Sequence, residues 1–436
     1  MPMKLGVKYT LGKESGATPG TAVNRTIALS IRDIGSLDRE INKIEDPVIA
    51  GQGMSAGEFA ASADVKGSIP LSPRAGPGFG SILKGVFGTE ATPVQVIGAI
   101  AMRYIGASAS CKVVTDVSAK TITCSKGVLG AETADTDFGT AGVLTLTSAS
   151  VDTMTELVAV INGYTAKYEA VLLTGDGAAT ITSVMTVTAA QGKGKWVYLF
   201  LTGTSGAYVH PFTLDLTAGS ELPTWSIQRD GFQDNYLYDG CVVNTLSMSG
   251  ALKGAVEAEC EILGMKETIG QSASTVVLSG AKPLIFGGGK TSINGTTYNF
   301  TRKFSLKIDR GGNADGYGQS TLDRAYHQKG VAKVEASASL RLDAVSILER
   351  PKVEAGLAAP FQVVMIGSEA KKVGTSSVAE MLIVSMAASE VSSFKDAANG
   401  DQIDVDIGFK AYNPAGTYDY DAPVSAWLIT ADSAAY

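Results

Sequence analysis

Glu58-Phe-Ala-Ala-Ser-Ala-Asp-Val-Lys-Gly-Ser-Ile-Pro-Leu71 and Lys333-Val-Glu-Ala-Ser-Ala-Ser-Leu-Arg-Leu342 share Ala-Ser-Ala and the texture of a strand. Each stands at the same place in a repeated order of elements. A strand-like run at 27–31 leads through a charged, glycine-punctuated loop, 32–57, into the first stretch, and the apolar segment 81–87 follows. A run at 304–308 leads through a similar loop, ending at Gly330, into the second, and the apolar segment 344–348 follows. Both halves also close alike. Residues 237–248 read as a strand, turn at Gly250 and Gly254 and return over 255–263; residues 382–391 read likewise, with a turn at Asn399-Gly400 and a return over 402–411. Repetition of a supersecondary unit builds pseudo-symmetric architecture, and no catalytic cluster accompanies it.

The 436 residues are 45% hydrophobic and only 18% charged, enough for packed cores, and the length suggests roughly two to four domains. Fifty glycines among many Ser, Thr, Ala and Val favour short strands joined by turns, so the expected class is mainly β. The net charge of −7 argues against a surface that grips phosphates, and like charge lets a nucleic acid slide past without adhering. Cys111, Cys124, Cys241 and Cys260 lack CxxC spacing and read as free core thiols; a Cys111–Cys124 bridge across a hairpin would need an oxidising compartment. The N-terminus has no apolar core of a signal peptide. The longest apolar stretch, 94–102, is interrupted by Gly98 and falls short of the roughly 20 residues that span a bilayer. Synthesis and folding in the cytoplasm, with no membrane insertion, is the expectation.

Residues 107–206 differ in texture: they are Thr-rich, strand-like at 112–123, 143–147, 178–189 and 195–202, and carry one helix signal. Thr153-Met-Thr-Glu156 has capping-box spacing, Leu157, Val160 and Ile161 form an apolar face, and Asn162-Gly163 stops the helix. This segment reads as a small α+β or immunoglobulin-like domain inserted at a loop tip. The expected organisation is therefore a first unit of 1–106 and 207–266, the insert 107–206, a linker 267–290, a second unit 291–413 and a C-terminal arm 414–436 whose Tyr418, Tyr420 and Trp427 dock on a neighbour.

The two long loops carry the candidate contact residues. In 32–57 these are Arg32, Asp33, Leu37, Arg39, Glu40, Ile41, Lys43, Glu45 and Asp46; in 309–330 they are Arg310, Asp315, Asp323, Arg324 and Lys329. Leu37, Ile41 and Ile44 have the spacing of a brief helix, but the flanks are rich in Gly and Ser. A long loop of alternating charged and apolar residues is either disordered or ordered by a partner. Gly287-Gly-Gly-Lys-Thr291 ends like a phosphate-binding loop, yet Leu284 stands where that motif requires glycine. Gly76-Pro-Gly-Phe-Gly80 reads as a turn before a short helix. His210 and His327 have no ligand-spaced neighbours and read as packing or surface residues. No catalytic, cofactor or metal site is expected.

Phe59-Ala-Ala-Ser-Ala-Asp-Val-Lys-Gly-Ser-Ile-Pro-Leu71 with Gly78-Phe-Gly-Ser-Ile-Leu-Lys-Gly-Val-Phe-Gly-Thr89 resembles the core of phage tail tube proteins. After the insert, Phe212-Thr-Leu214, Leu222-Pro-Thr-Trp-Ser-Ile227, Asp234-Asn-Tyr-Leu-Tyr-Asp-Gly-Cys-Val-Val-Asn-Thr-Leu-Ser-Met248 and Glu261-Ile-Leu-Gly264 continue that family's pattern. The resemblance implies two tandem β-sandwich units that lend strands to a closed inner barrel, stacked in rings as the tube through which DNA passes. Two units per chain imply trimeric rings with pseudo-sixfold symmetry; a single-unit pattern would need hexameric rings. The implied partners are further copies of the chain, the tape measure, the tail terminator and baseplate or tip proteins, with DNA in the lumen bound to no specific site. The insert would decorate the outside. Aspartates at Leu37 and Ile41 are then expected to block polymerisation of a still-folded subunit. The alternative classes are another β-rich adhesion or decoration protein, which predicts an export signal, and an enzyme, which predicts a concave polar cluster.

Overall fold

The computed structural model describes residues 7–436 apart from 46–57, 129, 147, 149, 165–166, 188–189, 194, 218–220, 232–233, 279, 294, 299–300, 313–321, 328, 342–349, 356–359, 368–371, 400–401 and 413–421. Asp46, Asp315, the segment 344–348, Gly400 and the tyrosines at 418 and 420 lie outside the described residues. The fold is mainly β, as expected.

Eight strands within a larger sheet carry the repeat: β1 (Asp38–Glu45), β2 (Glu58–Leu71), β3 (Asn235–Ala251), β4 (Glu257–Gly264), β5 (Thr301–Asp309), β6 (Lys333–Arg341), β7 (Ser389–Asn399) and β8 (Gln402–Ala411). Their order in space is β1-β2-β4-β3 followed by β5-β6-β8-β7, antiparallel throughout, so the second half repeats the first. The two halves join where β3 pairs with β5, from Thr245 opposite Asp309 to Ala251 opposite Lys303. The order of elements read from the sequence is thus an order in space.

These segments become strands because they alternate. On β5, Phe304, Leu306 and Ile308 turn inward while Lys303, Ser305 and Lys307 face out; on β4, Ala258, Cys260 and Ile262 turn inward while Glu257, Glu259 and Glu261 face out. A period of two leaves one face apolar, and that face must be covered. A second sheet does so, with strands in the order Tyr208–Leu214, Val424–Thr430, Met381–Met386, Phe361–Gly367 and Leu284–Ile293. Leu246, Phe304, Leu340, Phe361, Leu382 and Leu428 meet in the shared core. Helix α1 (Pro77–Phe87) packs on β3, and further along the chain α3 (Arg350–Ala355) packs on β7, so each half has a helix against the matching strand. Gly76 to Gly80, expected as a turn before the helix, contributes α1's first turn, with Pro77 at its start.

Helix α2 (Met154–Gly163) starts at the expected capping box: Glu156 N–H donates to Thr153 Oγ1 at 3.3 Å and Thr153 N–H donates to Glu156 Oε2 at 3.1 Å. Its Leu157 and Ile161 join Ile100, Met102, Cys111, Cys124, Phe138 and Tyr168 in a separate core. The strand Val94–Tyr104 pairs with Tyr168–Gly175 on one side and Val197–Thr202 on the other, while its first two residues pair with Val209 and Tyr208. One continuous strand therefore links this core to the rest of the chain. The run 112–123 is divided into Ser110–Asp116 and Thr121–Val128 by a turn in which Lys120 takes φ 56°. Cys111 and Cys124 are free thiols, both buried, and lie diagonally across this hairpin, opposite Lys126 and Val113.

Other expectations change as well. Residues 38–45 form a strand rather than loop or helix, because β2 offers a pairing edge that local spacing does not reveal. Residues 382–391 are two strands, not one: the chain leaves the covering sheet after Met386 and enters β7 at Ser389, with Ala387 N–H donating to Pro423 O at 2.9 Å. The end of the chain docks on its own chain, since Val424–Thr430 lies between two strands and Tyr436 is buried. Gly287 to Thr291, which departs from the phosphate-loop motif at Leu284, lies inside the strand Leu284–Ile293.

Candidate assembly surfaces

The eight-strand run ends at β1 on one side and β7 on the other. Among the described residues, β1 pairs only with β2 and β7 only with β8. Each edge therefore presents backbone donors and acceptors that a further strand would satisfy.

The outward face of the run is polar and differs between the halves. In the first half Glu257, Glu259 and Glu261 stand in a row on β4, flanked by Ser247 and Ser249 on β3 and by Ser68 and Pro70 on β2. In the second half charges alternate across the strands: Lys307 stands opposite Glu335, Glu335 opposite Lys410 and Lys410 opposite Glu390. Opposite charges at directly facing positions offset one another. Ser249, Ser305, Ser337, Gly408 and Ser393 form a neutral row beside them, with the Ser305 and Ser337 hydroxyls 2.7 Å apart. Such a face presents excess carboxylate in one half, where Arg32 offsets only Glu257, and facing opposite charges in the other.

The loop residues singled out in the sequence divide by burial. Arg32 pairs with Glu257, and Asp33 Oδ1 accepts from Ile34 N–H at 2.7 Å; both sit at the surface. Leu37 is wholly buried, and its carbonyl accepts from Arg229 Nη1 at 2.6 Å and Tyr238 Oη at 3.2 Å. Glu40 pairs with Lys66 at 2.7 Å and Lys43 with Glu58 at 3.4 Å, both in the open, where ion pairs contribute little. Glu45 ends β1 opposite Glu58. Ile44 and Phe59 stand opposite each other on one face of the β1–β2 hairpin, 51% and 54% exposed, and Ile41, 46% exposed, points to the other face.

The second loop is tied down within the chain. Asp323 Oδ1 accepts from Arg39 Nη2 at 2.9 Å, which brings the two predicted loops together. Arg324 donates to Asp64 Oδ1 at 2.7 Å and to Gly264 O at 3.2 Å. Lys329 reaches Asp215 Oδ2 at 3.4 Å and Thr217 O at 3.1 Å. Arg310 is fully buried, donates from Nη2 to Asp215 O at 2.7 Å and leaves Nε and Nη1 unpartnered; burial lowers its pKa. His327 donates from Nε2 to Gly240 O at 2.5 Å, and burial foremost pulls its pKa down to about 4. Asp64 and Asp215, the acceptors in this network, escaped the sequence reading because neither lies in a loop that invited attention.

His210 is a core residue, 3.0 Å from Glu90 through Nδ1 and stacked on Tyr436 at 4.4 Å. Among the described residues no cluster of His, Cys, Asp or Glu is arranged to hold a metal, and no helix is long and apolar enough to cross a membrane.

No curated protein matches the chain in a sequence comparison. A family model described as phage tail tube protein matches residues 6–411, spanning both halves and the segment between them. A β-rich chain with a duplicated sheet, matched over nearly its whole length, belongs to the phage tail tube protein family, structural proteins of the virion tail.

Proposed function

We propose that this chain polymerises as stacked rings of three copies, and that the resulting tube is the conduit for DNA delivery. The observation that carries the reading is the repeated strand order with its two unpaired edges. The β3–β5 seam inside the chain is a template for a seam between chains, in which β7 of one copy pairs with β1 of the next. Closure of the ring then removes every edge, which an open sheet of this length cannot do. Cyclic symmetry follows from repeating one seam. The outward polar face of the eight-strand run lines the lumen, where Glu259 and Glu261 repel phosphates while the lysines of the second half face carboxylates on neighbouring strands.

The segment 107–206 projects away from the lumen as a decoration domain. Further partners of the tube are the tape measure, the tail terminator and the baseplate or tip proteins, with assembly in the cytoplasm of the host. Electron microscopy of concentrated purified protein, with end-on class averages, tests the reading. Threefold density with six inner lobes is the expected image; true sixfold averages from six separate chains, or dispersed monomers under every condition, would overturn it.

A further inference from the structure

Every residue of the strand Met381–Met386 is buried, and a strand buried on both faces needs a layer on each side. Leu382, Val384 and Met386 turn to the core shared by the two halves, and Met381 and Ile383 turn away from it. The neighbouring strand Phe361–Gly367 alternates in the same way, with Phe361, Val363 and Met365 on the shared core and Val364 turned outward. The outer layer is the insert. Ala99, Ala101, Tyr198 and Phe200 share a core with Val364 and Ile383, while Ile100, Met102, Leu199 and Leu201, on the opposite face of the same two strands, share the core of α2.

The counterpart strand in the first half has no such face. Trp225–Asp230 pairs with β3 as Phe361–Gly367 pairs with Met381–Met386. Its Trp225 and Ile227 turn to the shared core, but the alternate positions are Ser226, Gln228 and Asp230. Short stretches of chain engage them: Val23 N–H donates to Ser226 Oγ at 3.1 Å, Arg25 Nε to Gln228 Oε1 at 2.9 Å and Ser274 N–H to Asp230 Oδ2 at 2.9 Å. The insert thus leaves the first half through Val94–Tyr104 and finds its apolar seat on the second. Polar contacts pin it there. Trp196 N–H donates to Gln362 Oε1 at 2.9 Å and Gln362 Nε2 donates back to Trp196 O at 2.7 Å. Ala379 N–H donates to Thr174 Oγ1 at 2.6 Å, and Arg103, stacked 4.6 Å from the Trp196 ring, donates to Gly295 O.

We propose that the insert is a brace: rooted in the first half and seated on the second, it fixes the angle between the halves, and a ring closes only while that angle is held. Neighbouring strands in sheets are rotated by anything from roughly −10 to −35°, so the β3–β5 seam by itself leaves the angle loose. The brace adds a second connection outside the plane of that sheet, which resists bending at the seam. The inference rests on the ring reading above and gives the insert a role in closure beyond its place on the outer wall.

Two experiments on the full chain test the brace. The first, hydrogen exchange along a urea series, needs no rings. Val197–Thr202 and Met381–Met386 are expected to lose protection together, and Gln362→Ala, which strands the Trp196 amide and carbonyl, is expected to lower both midpoints. Loss of protection in the insert at a separate urea concentration, with the second half still protected, would overturn the brace. The second experiment reads closure by microscopy. Thr174→Cys with Ala379→Cys, oxidised before assembly, ties the insert to its seat, and the native cysteines are buried, so this pair reports alone. The tied chain is expected to form the same threefold rings as the unaltered protein. Arg103→Ala with Gln362→Ala, folded by its exchange profile, is expected to lose closed rings to open arcs and uneven sizes. Failure of the tied chain to assemble, or closed rings in undiminished number from the folded Arg103/Gln362 variant, would overturn the proposal. Absence of rings from the unaltered protein would remove the ring reading and the closure role with it, while joint unfolding in the first experiment would still bind the insert to the second half.

Discussion

Arg324 and Asp64, 260 positions apart in the chain, meet at 2.7 Å with the guanidinium shut off from solvent. The pair joins the loop of the second half to strand β2 of the first, and Asn42 Nδ2 donates to the other Asp64 oxygen at 2.9 Å. Removing one member of a buried ion pair leaves an uncompensated charge, which costs about 3 kcal/mol or more. Arg324→Leu is therefore expected to lower the urea midpoint strongly at neutral pH. A loss of less than about 1 kcal/mol would show the pair to be solvated.

His327 makes stability depend on pH. In the unfolded chain its imidazole protonates near 6.5, whereas in the folded chain burial holds the pKa at about 4. Between those values the unfolded state binds more protons, so stability falls as pH drops through the window and is fully present above it. The span corresponds to at most about 3 kcal/mol. Urea midpoints measured from pH 7 to pH 4 should decline for the unaltered protein and decline less for His327→Leu. Parallel slopes would mean that carboxylates alone set the acid limit.

Ile41→Asp with Ile44→Asp separates folding from assembly. Both side chains are half exposed on β1, so the soluble subunit should keep its stability within about 0.5 kcal/mol. Ring and tube formation should be lost in sedimentation and microscopy. Leu37→Asp, which pairs naturally with Ile41 on sequence grounds, is a different experiment: Leu37 is wholly buried, and a carboxylate there should unfold the subunit. Normal tubes from the Ile41/Ile44 variant would remove the hairpin from the assembly surface.

Gly80 and Tyr436 are complementary in shape. A Cβ at Gly80 would lie 2.1 Å from the Tyr436 ring, so Gly80→Ala must displace that ring from α1. Overpacking of this kind costs about 1–3 kcal/mol. Combining it with Tyr436→Ala should recover part of the loss, giving a non-additive double-mutant cycle. Additive effects would mean that the helix, rather than the ring, absorbs the added methyl group.

Hairpins and caps were legible because their signals are local. The turn between β3 and β4 and the Thr153 capping box both fall where spacing placed them. The break between Met386 and Ser389 was not legible, because residues on both sides of it are buried and the sequence shows no change of period where the chain changes sheets. Strand β1 was hidden for a related reason: Leu37, Ile41 and Ile44 fit helical spacing, and only the distant edge of β2 decides otherwise. The loop residues were chosen for charge and length, and the structure sorts them by burial, with Leu37, Arg310 and Arg324 inside and Ile41 and Lys43 outside. Burial of a charged loop depends on a partner far along the chain, Asp64 for Arg324 and the Asp215 carbonyl for Arg310, and no window of neighbouring residues contains it.

The junction of β3 with β5 forms while a single polypeptide folds, at an effective concentration set by the chain itself rather than by the number of subunits in the cell. In a three-membered ring, half of the seams are then complete before two molecules ever meet, and only the remaining half carry the translational and rotational penalty of association. Covalent fusion also frees the two staves from being identical. One keeps its glutamate row and the other its interleaved lysines and acids, a division of labour that a ring of six equivalent chains has no means to encode.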